Sequence, residues 1–303
     1  MKILITGSNG LLGQKLVGRL SRQPGVALVA TSRGANKLAE LYPQVRFVPL
    51  DVTDAAQVAQ VIEAEKPTHL IHTAALTNVD ECALHPADCW NQNVTAVAHL
   101  VAACEQHEVR LIHLSTDFIF SGETGPLAED AVPGPVNFYG ESKLAAEQLV
   151  RRCRSPWAIV RTVLVYGVAH NYGRTNLVLW VRDALRAGQP INVVDDQLRT
   201  PTLAEDLAEG CWLVARHQAT GIYHISGAEL CTPYGLAQQV AAYFQLDARL
   251  ISRVDAATFS QPARRPLRTG FVIDKAMREL GYQPHTLAEG IALVAAQARS
   301  DAK

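Results

Sequence analysis

The 303-residue sequence lacks a strong charge of either sign and any cysteine pattern typical of a zinc site. A formal net charge of −1 provides no overall positive field to attract nucleic acid or an anionic membrane. Phosphate recognition must therefore be local, which points to a small anionic ligand. The six cysteines are scattered, with no CxxC pair and no close cysteine/histidine cluster, so we expect buried free thiols and no metal site.

Long apolar runs are also missing. The first run ends at Gly7, too early for a secretory segment, and no later run reaches the roughly 18 residues of a membrane-spanning helix. We therefore expect a reducing, cytoplasmic location. With 48% apolar and 19% charged residues, the composition is that of a globular protein with one large core or two modest ones.

Short apolar runs typical of strands alternate with amphipathic stretches typical of helices. Strands are predicted at 2–6, 27–32, 45–50, 69–74, 110–115 and 157–162, and helices at 11–22, 35–42, 55–66, 91–107 and after Tyr139. This alternation predicts βαβ units with right-handed crossovers, and hence an α/β fold with a doubly wound parallel sheet of the Rossmann type. Beyond Thr162 the rhythm breaks, with helical stretches at 174–188 and 234–244 and one more strand at 221–226.

A glycine-rich loop follows the first predicted strand. The stretch Gly7, Ser8, Asn9, Gly10, Leu11, Leu12 and Gly13 has the spacing GxxGxxG and leads into the first helix. Glycines at such a position allow a tight turn, a close approach to a pyrophosphate and close packing of helix on strand, and the helix N-terminus offers unpaired N–H groups. The alternative is a purely structural turn. The position between strand and helix favours a dinucleotide site.

The end of the second strand bears on which nicotinamide cofactor binds. An acidic side chain there would accept from the ribose 2′-hydroxyl and repel a 2′-phosphate, but this chain has Ser32 and Arg33. Arginine is a bidentate phosphate donor, so we expect NADP(H) to be favoured over NAD(H). The alternative is that Arg33 is a solvated loop charge. Asp51 and Val52, after the third strand, are candidates for the adenine amine and the adenine ring.

A hydroxyl, a phenol and an amine form the candidate reactive group. Thr116 lies at the end of the fifth strand, where open α/β sheets bind ligands, and Tyr139 and Lys143 are four residues apart on a helix. One ammonium about 4 Å away can lower a tyrosine pKa by about 3 units, which predicts a phenol able to exchange a proton near neutrality. Thr116 would hold the substrate oxygen meanwhile. The alternative is a surface helix pair and a strand-capping threonine.

The motifs taken together resemble a known family. The stretches GSNGLLG, AALTNVDECA, LSTDFIFSG, YGESK, RTVLVYG and DQLRTPT occur in this order along nearly the whole chain. They resemble the extended short-chain dehydrogenase/reductase superfamily and, within it, the dTDP-4-dehydrorhamnose reductase family. The resemblance implies a Rossmann domain over 1–165, to which 202–226 return, a smaller interleaved α/β substrate domain over 166–303, and hydride reduction of a 4-keto-sugar nucleotide.

The resemblance also implies roles for single residues. Thr116, Tyr139 and Lys143 would be the catalytic triad, with Tyr139 the proton donor and Lys143 also a ribose contact. The turn Ala74, Ala75 and Leu76 would line the cofactor. The candidates for contacts to the sugar nucleotide are Thr77, Thr116, Asp117, Gln197, Arg199 and Arg265, and the alternative for Arg265 is a solvated loop.

Two departures bear on the substrate. Leu164 stands where the family usually has a tryptophan, and RPLRTGF differs from the family's RPxxSxL pattern. Phe118 after Asp117 disfavours a 4,6-dehydratase, which carries an acid there. A sugar-nucleotide epimerase and a non-catalytic NADP-binding subunit of the methionine adenosyltransferase β type stay open as alternatives. A homodimer is possible.

The histidines invite a metal hypothesis. His69 and His72 flank one predicted strand and His113 lies within another. A core imidazole with a hydrogen-bond partner is the expected role for each of them.

Overall fold

The computed structural model describes residues 1–171, 173, 175–259 and 261–300, and of residues 299 and 300 only the backbone. The predicted helix at 174–188 therefore begins at a residue outside the described part of the chain.

The strands of the described residues fall into one large sheet and two small ones. Their bounds are β1 Lys2–Thr6, β2 Ala27–Ser32, β3 Arg46–Pro49, β4 His69–His72, β5 Arg110–Thr116, β6 Trp157–Thr162, β7 Val165–Tyr166, β8 Ile191–Val194, β9 Thr202–Leu203, β10 Gly221–His224 and β11 Ile251–Val254. The large sheet has the order β3-β2-β1-β4-β5-β6-β10, and all its pairs are parallel. The predicted α/β, doubly wound fold is confirmed.

The helices cover both faces of this sheet. Their bounds are α1 Leu11–Leu20, α2 Ala55–Glu65, α3 Val79–Leu84, α4 Pro86–Trp90, α5 Ala96–His107, α6 Phe138–Arg151, α7 Leu177–Arg186, α8 Ala204–Arg216, α9 Pro233–Phe244, α10 Asp274–Leu280 and α11 Leu287–Ser300. One buried cluster joins α1, α8 and α10 to the sheet, and another joins α2, α5 and α6 to its opposite face. Strands buried on both faces read as continuous apolar runs, which is why the sequence displays them clearly.

A smaller unit lies beyond β6. In it α7, α9 and α11 share a third buried cluster with β8 and β11, which pair in parallel. The chain also returns to the large sheet, because β10 pairs with β6 and α8 packs on α1. The two units are thus threaded through each other along the sequence.

One predicted helix is wrong. Residues 35–42 form turns because polar side chains bind their backbone: the Asn9 amide donates to Ala35 O (2.9 Å) and accepts from Lys37 N (3.1 Å). Asn36 accepts from the backbone N–H of Leu38 at 2.9 Å, a local bond that competes with helix formation.

Several predicted boundaries also shift. Strand β4 ends at His72 rather than at 74, because the Thr73 hydroxyl turns to donate to Thr6 O at 2.6 Å. Strand β5 runs one residue further than predicted, to Thr116. The predicted helix at 91–107 is α5 preceded by α4 and a π-helical turn at Asn91–Thr95.

The predicted burial of the cysteines and of the three strand histidines is confirmed, but His69 Nε2 and His113 Nδ1 have no hydrogen-bond partner among the described residues. The six cysteines are free, five of them are buried, and Cys231 is partly buried. The side chains of His69, His72 and His113 are buried. Within the described residues, no group of three or more histidine, cysteine or acidic side chains is placed to hold a metal ion. No described helix combines the length and apolar character that crossing a membrane would require.

Candidate active site

A large cavity opens where the sheet reverses its strand order. It measures about 550 Å³ and is lined from the carboxyl ends of β1, β2, β4, β5 and β6. Strands β1 and β4 are neighbours here although their connections leave in opposite directions. In an open α/β sheet this switch point is where ligands bind, because the loops separate and leave a crevice.

The glycine loop forms one wall of this crevice. Gly7 has φ +70°, and a Cβ atom there would lie 2.8 Å from Ala74 N, so only glycine allows the loop to pass the turn after β4 so closely. At Gly13 a Cβ would meet Gly7 O at 2.2 Å. Gly10 is the N-cap residue of α1 and has no side chain that could accept from the N–H groups of the first turn. The helix therefore keeps unpaired N–H groups of the kind that bind phosphate.

Some of the other predicted cofactor residues line the crevice, and the rest lie behind its lining. Ser32, Arg33, Val52, Ala74 and Ala75 line the crevice with the loop residues Gly7, Gly10, Leu11, Leu12 and Gly13. Ser8, Asn9, Asp51 and Leu76 lie outside this lining.

Each supporting residue has a local role. Ser8 is buried, and Asn9 holds the loop that follows β2. Asp51 accepts from the N–H (2.9 Å) and the hydroxyl (2.7 Å) of Thr53, so its carboxylate is engaged in a turn.

Thr116, Tyr139 and Lys143 meet in the same crevice, and all three are buried. Helix α6 starts at its N-cap Asn137, whose side chain accepts from Gly140 N at 2.8 Å. A Cβ on Gly140 would meet Phe118 O at 2.2 Å, so this glycine lets the first turn of α6 pack on the turn after β5. That contact brings the phenol to Thr116.

The ionisation of Tyr139 differs from the expected direction. Burial raises its pKa above the ordinary value of 10, a hydrogen bond with Thr116 opposes this, and the nearby charge of Asp117 adds to it. The lowering by Lys143 that was predicted from the sequence does not contribute to this shift, and desolvation of the phenol is its largest cause. The phenol is therefore protonated at neutral pH, the form that a proton donor needs.

Lys143 is held below the crevice by the fifth strand. Its ammonium donates to Leu114 O at 2.6 Å and lies 3.4 Å from His113 Nε2. Burial lowers the pKa of Lys143 to about 8, while Glu147 raises it. The pKa of Lys143 is thus close to neutral pH, as the pKa values of groups in functional sites often are.

Two histidines extend this polar layer under the crevice, a role that sequence reasoning missed. The rings of His72 and His113 stack with centroids 5.4 Å apart, and Thr6 Oγ1 lies 2.7 Å from His72 Nδ1. Burial lowers the pKa of His72 to about 3 and that of His113 well below its ordinary value, with Lys143 contributing to both. Polar residues within two adjacent buried strands were the available signal.

Asn93 was missed as well. In the π-helical turn, its amide accepts from Leu76 N at 2.9 Å and donates to Leu76 O at 3.0 Å and to the Ser142 hydroxyl at 3.1 Å. It thereby ties the turn after β4 to helix α6. Thr77, one residue further, is exposed and lines the crevice. A π turn, often found at functional sites, leaves no simple periodic signal.

The predicted substrate residues are split between two places. Thr77, Thr116 and Asp117 line the central crevice, whereas Gln197 and Arg265 line a smaller cleft of about 190 Å³ together with Trp180 and Phe259.

Arg199 and Arg265 already have protein partners. The buried Arg199 guanidinium donates to the carbonyl oxygens of Leu198, Pro266 and Leu267. Arg265 forms a bidentate ion pair with Asp80, both bonds 2.7 Å long. Arg199 thus joins loops of the smaller unit, and Arg265 spans from a loop of that unit to α3.

Comparison with known proteins places the chain in a family. The sequence model described as "RmlD substrate binding domain" matches residues 1–300. The chain belongs to this family. Membership in the RmlD substrate-binding family confirms the resemblance to dTDP-4-dehydrorhamnose reductases and the expectation of an NAD(P)-dependent oxidoreductase of the short-chain dehydrogenase/reductase type.

Relatives of this RmlD-family chain are similar over their full length. It is 33% identical to a dTDP-4-keto-6-deoxy-D-glucose reductase of Streptomyces niveus, covering 93% of this chain and 91% of the relative. It is 31% identical to a probable low-salt glycan biosynthesis reductase of Haloferax volcanii, over 98% of both. A dTDP-4-dehydrorhamnose reductase of Bacillus anthracis, solved in complex with NADP, superposes with a TM-score of 0.83 at 27% identity, covering 98% and 99% of the two chains.

Proposed function

We propose that the protein reduces a 4-keto-deoxysugar nucleotide with NADPH, using Tyr139 as the proton donor. The observation that carries this proposal is that the glycine loop and the group Thr116, Tyr139 and Lys143 face one crevice of about 550 Å³. A phosphate-binding helix end and a proton donor are thus within one ligand's length of each other. The names of the RmlD-family relatives, which include keto-sugar reductases, support the same substrate class.

The residues present fit a dinucleotide. Gly7 and Gly13 leave the backbone bare where a Cβ atom would collide, and α1 starts with uncapped N–H groups for a pyrophosphate. Ser115 lines the crevice with its hydroxyl buried and without a partner among the described residues, an orphan that a ligand amide would satisfy. The bound nicotinamide supplies the hydride. The chain's own residues orient the ring and the sugar and provide the proton.

Tyr139 provides that proton as a general acid. Its pKa is raised in the buried site, so the phenol enters the reaction protonated and can give its proton to the carbonyl oxygen as that oxygen becomes an alkoxide. Lys143, four residues on and one helical turn away, lines the same crevice with its ammonium held by Leu114 O. We expect Tyr139→Phe to lower kcat by about 10²–10⁴-fold.

We further propose that Arg33 favours NADPH. Its side chain is exposed at the end of β2 and lines the crevice beside Ser32, where a 2′-phosphate would lie. Arg33→Ala is expected to raise the KM for NADPH about tenfold or more while changing that for NADH less. An equal change for both cofactors would contradict the preference.

We propose that the nucleotide part of the substrate binds in the smaller cleft of about 190 Å³. The second cleft combines the aromatic side chains of Trp180 and Phe259 with the amide of Gln197. Aromatic faces suit a nucleobase, while Arg265 in the lining of this cleft is already paired with Asp80.

A substrate panel tests the proposal. Keto-sugar nucleotides that differ in base and in deoxygenation are each incubated with NADPH and with NADH, with Tyr139→Phe as the control. We expect NADPH consumption with a 4-keto-6-deoxy sugar nucleotide and its loss in the variant. Tight NADPH binding without turnover on any member would instead support a non-catalytic cofactor-binding subunit.

A further inference from the structure

A buried imidazole lies beside the amine of the proposed reactive group. His113 is fully buried in strand β5, and its Nε2 lies 3.4 Å from the ammonium nitrogen of Lys143. The same ammonium donates to Leu114 O at 2.6 Å. Two successive residues of β5 therefore contact an amine that belongs to helix α6 and lines the crevice.

The contact between the two side chains has a defined direction. The Lys143 ammonium carries three N–H donors and no lone pair, so His113 Nε2 can only accept from it. Burial and the nearby charge of Lys143 lower the pKa of His113 well below its ordinary value, so the ring is neutral and carries one proton. A ring that accepts at Nε2 must hold this proton on Nδ1.

The other tautomer is disfavoured by the charge of the lysine. A proton on His113 Nε2 would turn an N–H toward the ammonium, and two donors would then face each other across 3.4 Å. Nδ1 of His113 has no partner among the described residues in either form. The contact at Nε2 therefore decides which nitrogen holds the proton.

We propose that His113 is a positioning residue whose Nε2 lone pair, together with Leu114 O, holds the Lys143 ammonium and leaves its third N–H for a cofactor in the crevice. This inference rests on the proposed reduction and adds to it a residue that acts through Lys143. A neutral acceptor suits the task, because a carboxylate at the same place would offset the charge that the lysine presents. At 3.4 Å the bond is longer than that to Leu114 O, so we expect it to affect the position of the amine more than the stability of the fold.

Fluorescence titration with NADPH tests whether His113 acts through Lys143. We expect His113→Leu, which removes the acceptor, to weaken NADPH binding about 5–20-fold. His113→Gln, whose amide oxygen can accept near the place of Nε2, should stay within about threefold of the wild type. In a Lys143→Met background, His113→Leu should change NADPH affinity less than about twofold. Equal weakening in both backgrounds would overturn the proposal.

His69→Leu is the matched control. His69 is a buried histidine of the neighbouring strand β4 that bonds the Thr68 hydroxyl at 2.8 Å and lies outside the crevice lining. Its replacement should change NADPH affinity less than about twofold. A loss equal to that in His113→Leu would indicate a general effect of packing in the sheet and would also overturn the proposal.

The tautomer of His113 can be measured in the wild type without any sugar substrate. Long-range ¹H–¹⁵N nuclear magnetic resonance of protein labelled in its histidines distinguishes the two neutral forms, and contacts to the Lys143 side chain assign the signals of His113. The Nδ1–H form is expected at pH 7, and the Nε2–H form would refute the inference even if His113→Leu does not fold. Wild-type protein that binds NADPH but reduces no keto-sugar nucleotide would instead refute the proposed function.

Discussion

At the scale of single residues, burial decides the ionisation of the groups around the crevice. Tyr139, Lys143 and His72 each have a pKa moved in the direction that disfavours charge. Such groups reduce the stability of the fold, because their charged or polar parts would be better solvated in the unfolded chain. Their presence at one crevice is the expected compromise between stability and reactivity.

Lys143→Met is expected to stabilise the protein while removing activity. The pKa of about 8 lies below the ordinary 10.5, so the unfolded chain binds more protons between these pH values. The cost of burying the ammonium is complete below pH 8 and disappears as pH rises through 10.5. Allowing for the lost bond to Leu114 O, we expect a gain of about 1–2 kcal/mol at pH 7 that shrinks by pH 10.

Urea unfolding at the two pH values measures this gain. Lys275→Met is the control, because Lys275 also donates to a backbone carbonyl, Ile222 O at 2.7 Å, but is only half-buried. A destabilised Lys143→Met at pH 7 would show that the ammonium contributes net stability, contrary to the argument from burial.

At the scale of elements, the contact between α1 and the glycine loop shapes the proposed cofactor site. We expect Gly13→Ala to destabilise the protein by about 1–3 kcal/mol and to weaken NADPH binding at least 100-fold, because its Cβ would meet the backbone atom Gly7 O at 2.2 Å. Cofactor fluorescence titration and thermal unfolding measure the two effects.

Gly18→Ala in the same helix is the matched control. Its Cβ would meet the Tyr42 hydroxyl, the movable end of a side chain, at 2.7 Å. Alanine also favours the helix, so a neutral or slightly stabilising effect is expected. Equal losses in the two variants would indicate that helix packing in general, and not the loop contact, is responsible.

The ion pair between α3 and the loop after Phe259 is expected to shape the substrate cleft. Asp80 and Arg265 are 30% and 17% exposed and joined by two bonds, so their coupling should exceed that of a surface pair. We expect Asp80→Asn and Arg265→Gln each to raise the KM for the sugar nucleotide about 3–10-fold. The double variant should be no worse than either, and NADPH affinity should stay unchanged.

Steady-state kinetics of the four proteins in this cycle measure the coupling. Arg154→Gln is the control, since Arg154 pairs with Glu105 but is 84% exposed. A fall in NADPH affinity in the Asp80 or Arg265 variants would place this pair at the cofactor instead.

At the scale of the whole molecule, buried histidines make the fold sensitive to acid. Burial lowers the pKa of His69 to about 4 and that of His72 and His224 to about 3. In the unfolded chain each binds a proton below pH 6.5, whereas the folded protein does not, so stability falls as the pH falls. Each contributes a slope of about 1.4 kcal/mol per pH unit.

Urea unfolding between pH 6 and 4.5 tests this sensitivity above the range where most carboxylates titrate. We expect His72→Asn, whose amide can still bond Thr6, to reduce the slope by about one histidine's contribution. An unchanged slope would mean that the imidazole is protonated in the folded protein.

The sequence by itself determined the fold class and the members of the proposed reactive group. Buried parallel strands are apolar along their whole length, and the glycine spacing and the pair Tyr139 and Lys143 are local patterns that need no tertiary contact to be seen. The prediction of a helix at 35–42 was wrong although the apolar residues there have helical spacing. The side chain of Asn9, which is distant in sequence, binds the backbone of this segment instead.

Tertiary structure alone decided how the site residues are used. Arg199 and Arg265 resemble free cationic contacts in the sequence, yet carbonyl oxygens and Asp80 occupy them in the fold. The pKa of Tyr139 moves upward rather than downward because it depends on how many layers of protein exclude water from the phenol. Periodicity and spacing carry no record of that burial, since it is created by segments that meet only when the chain is folded.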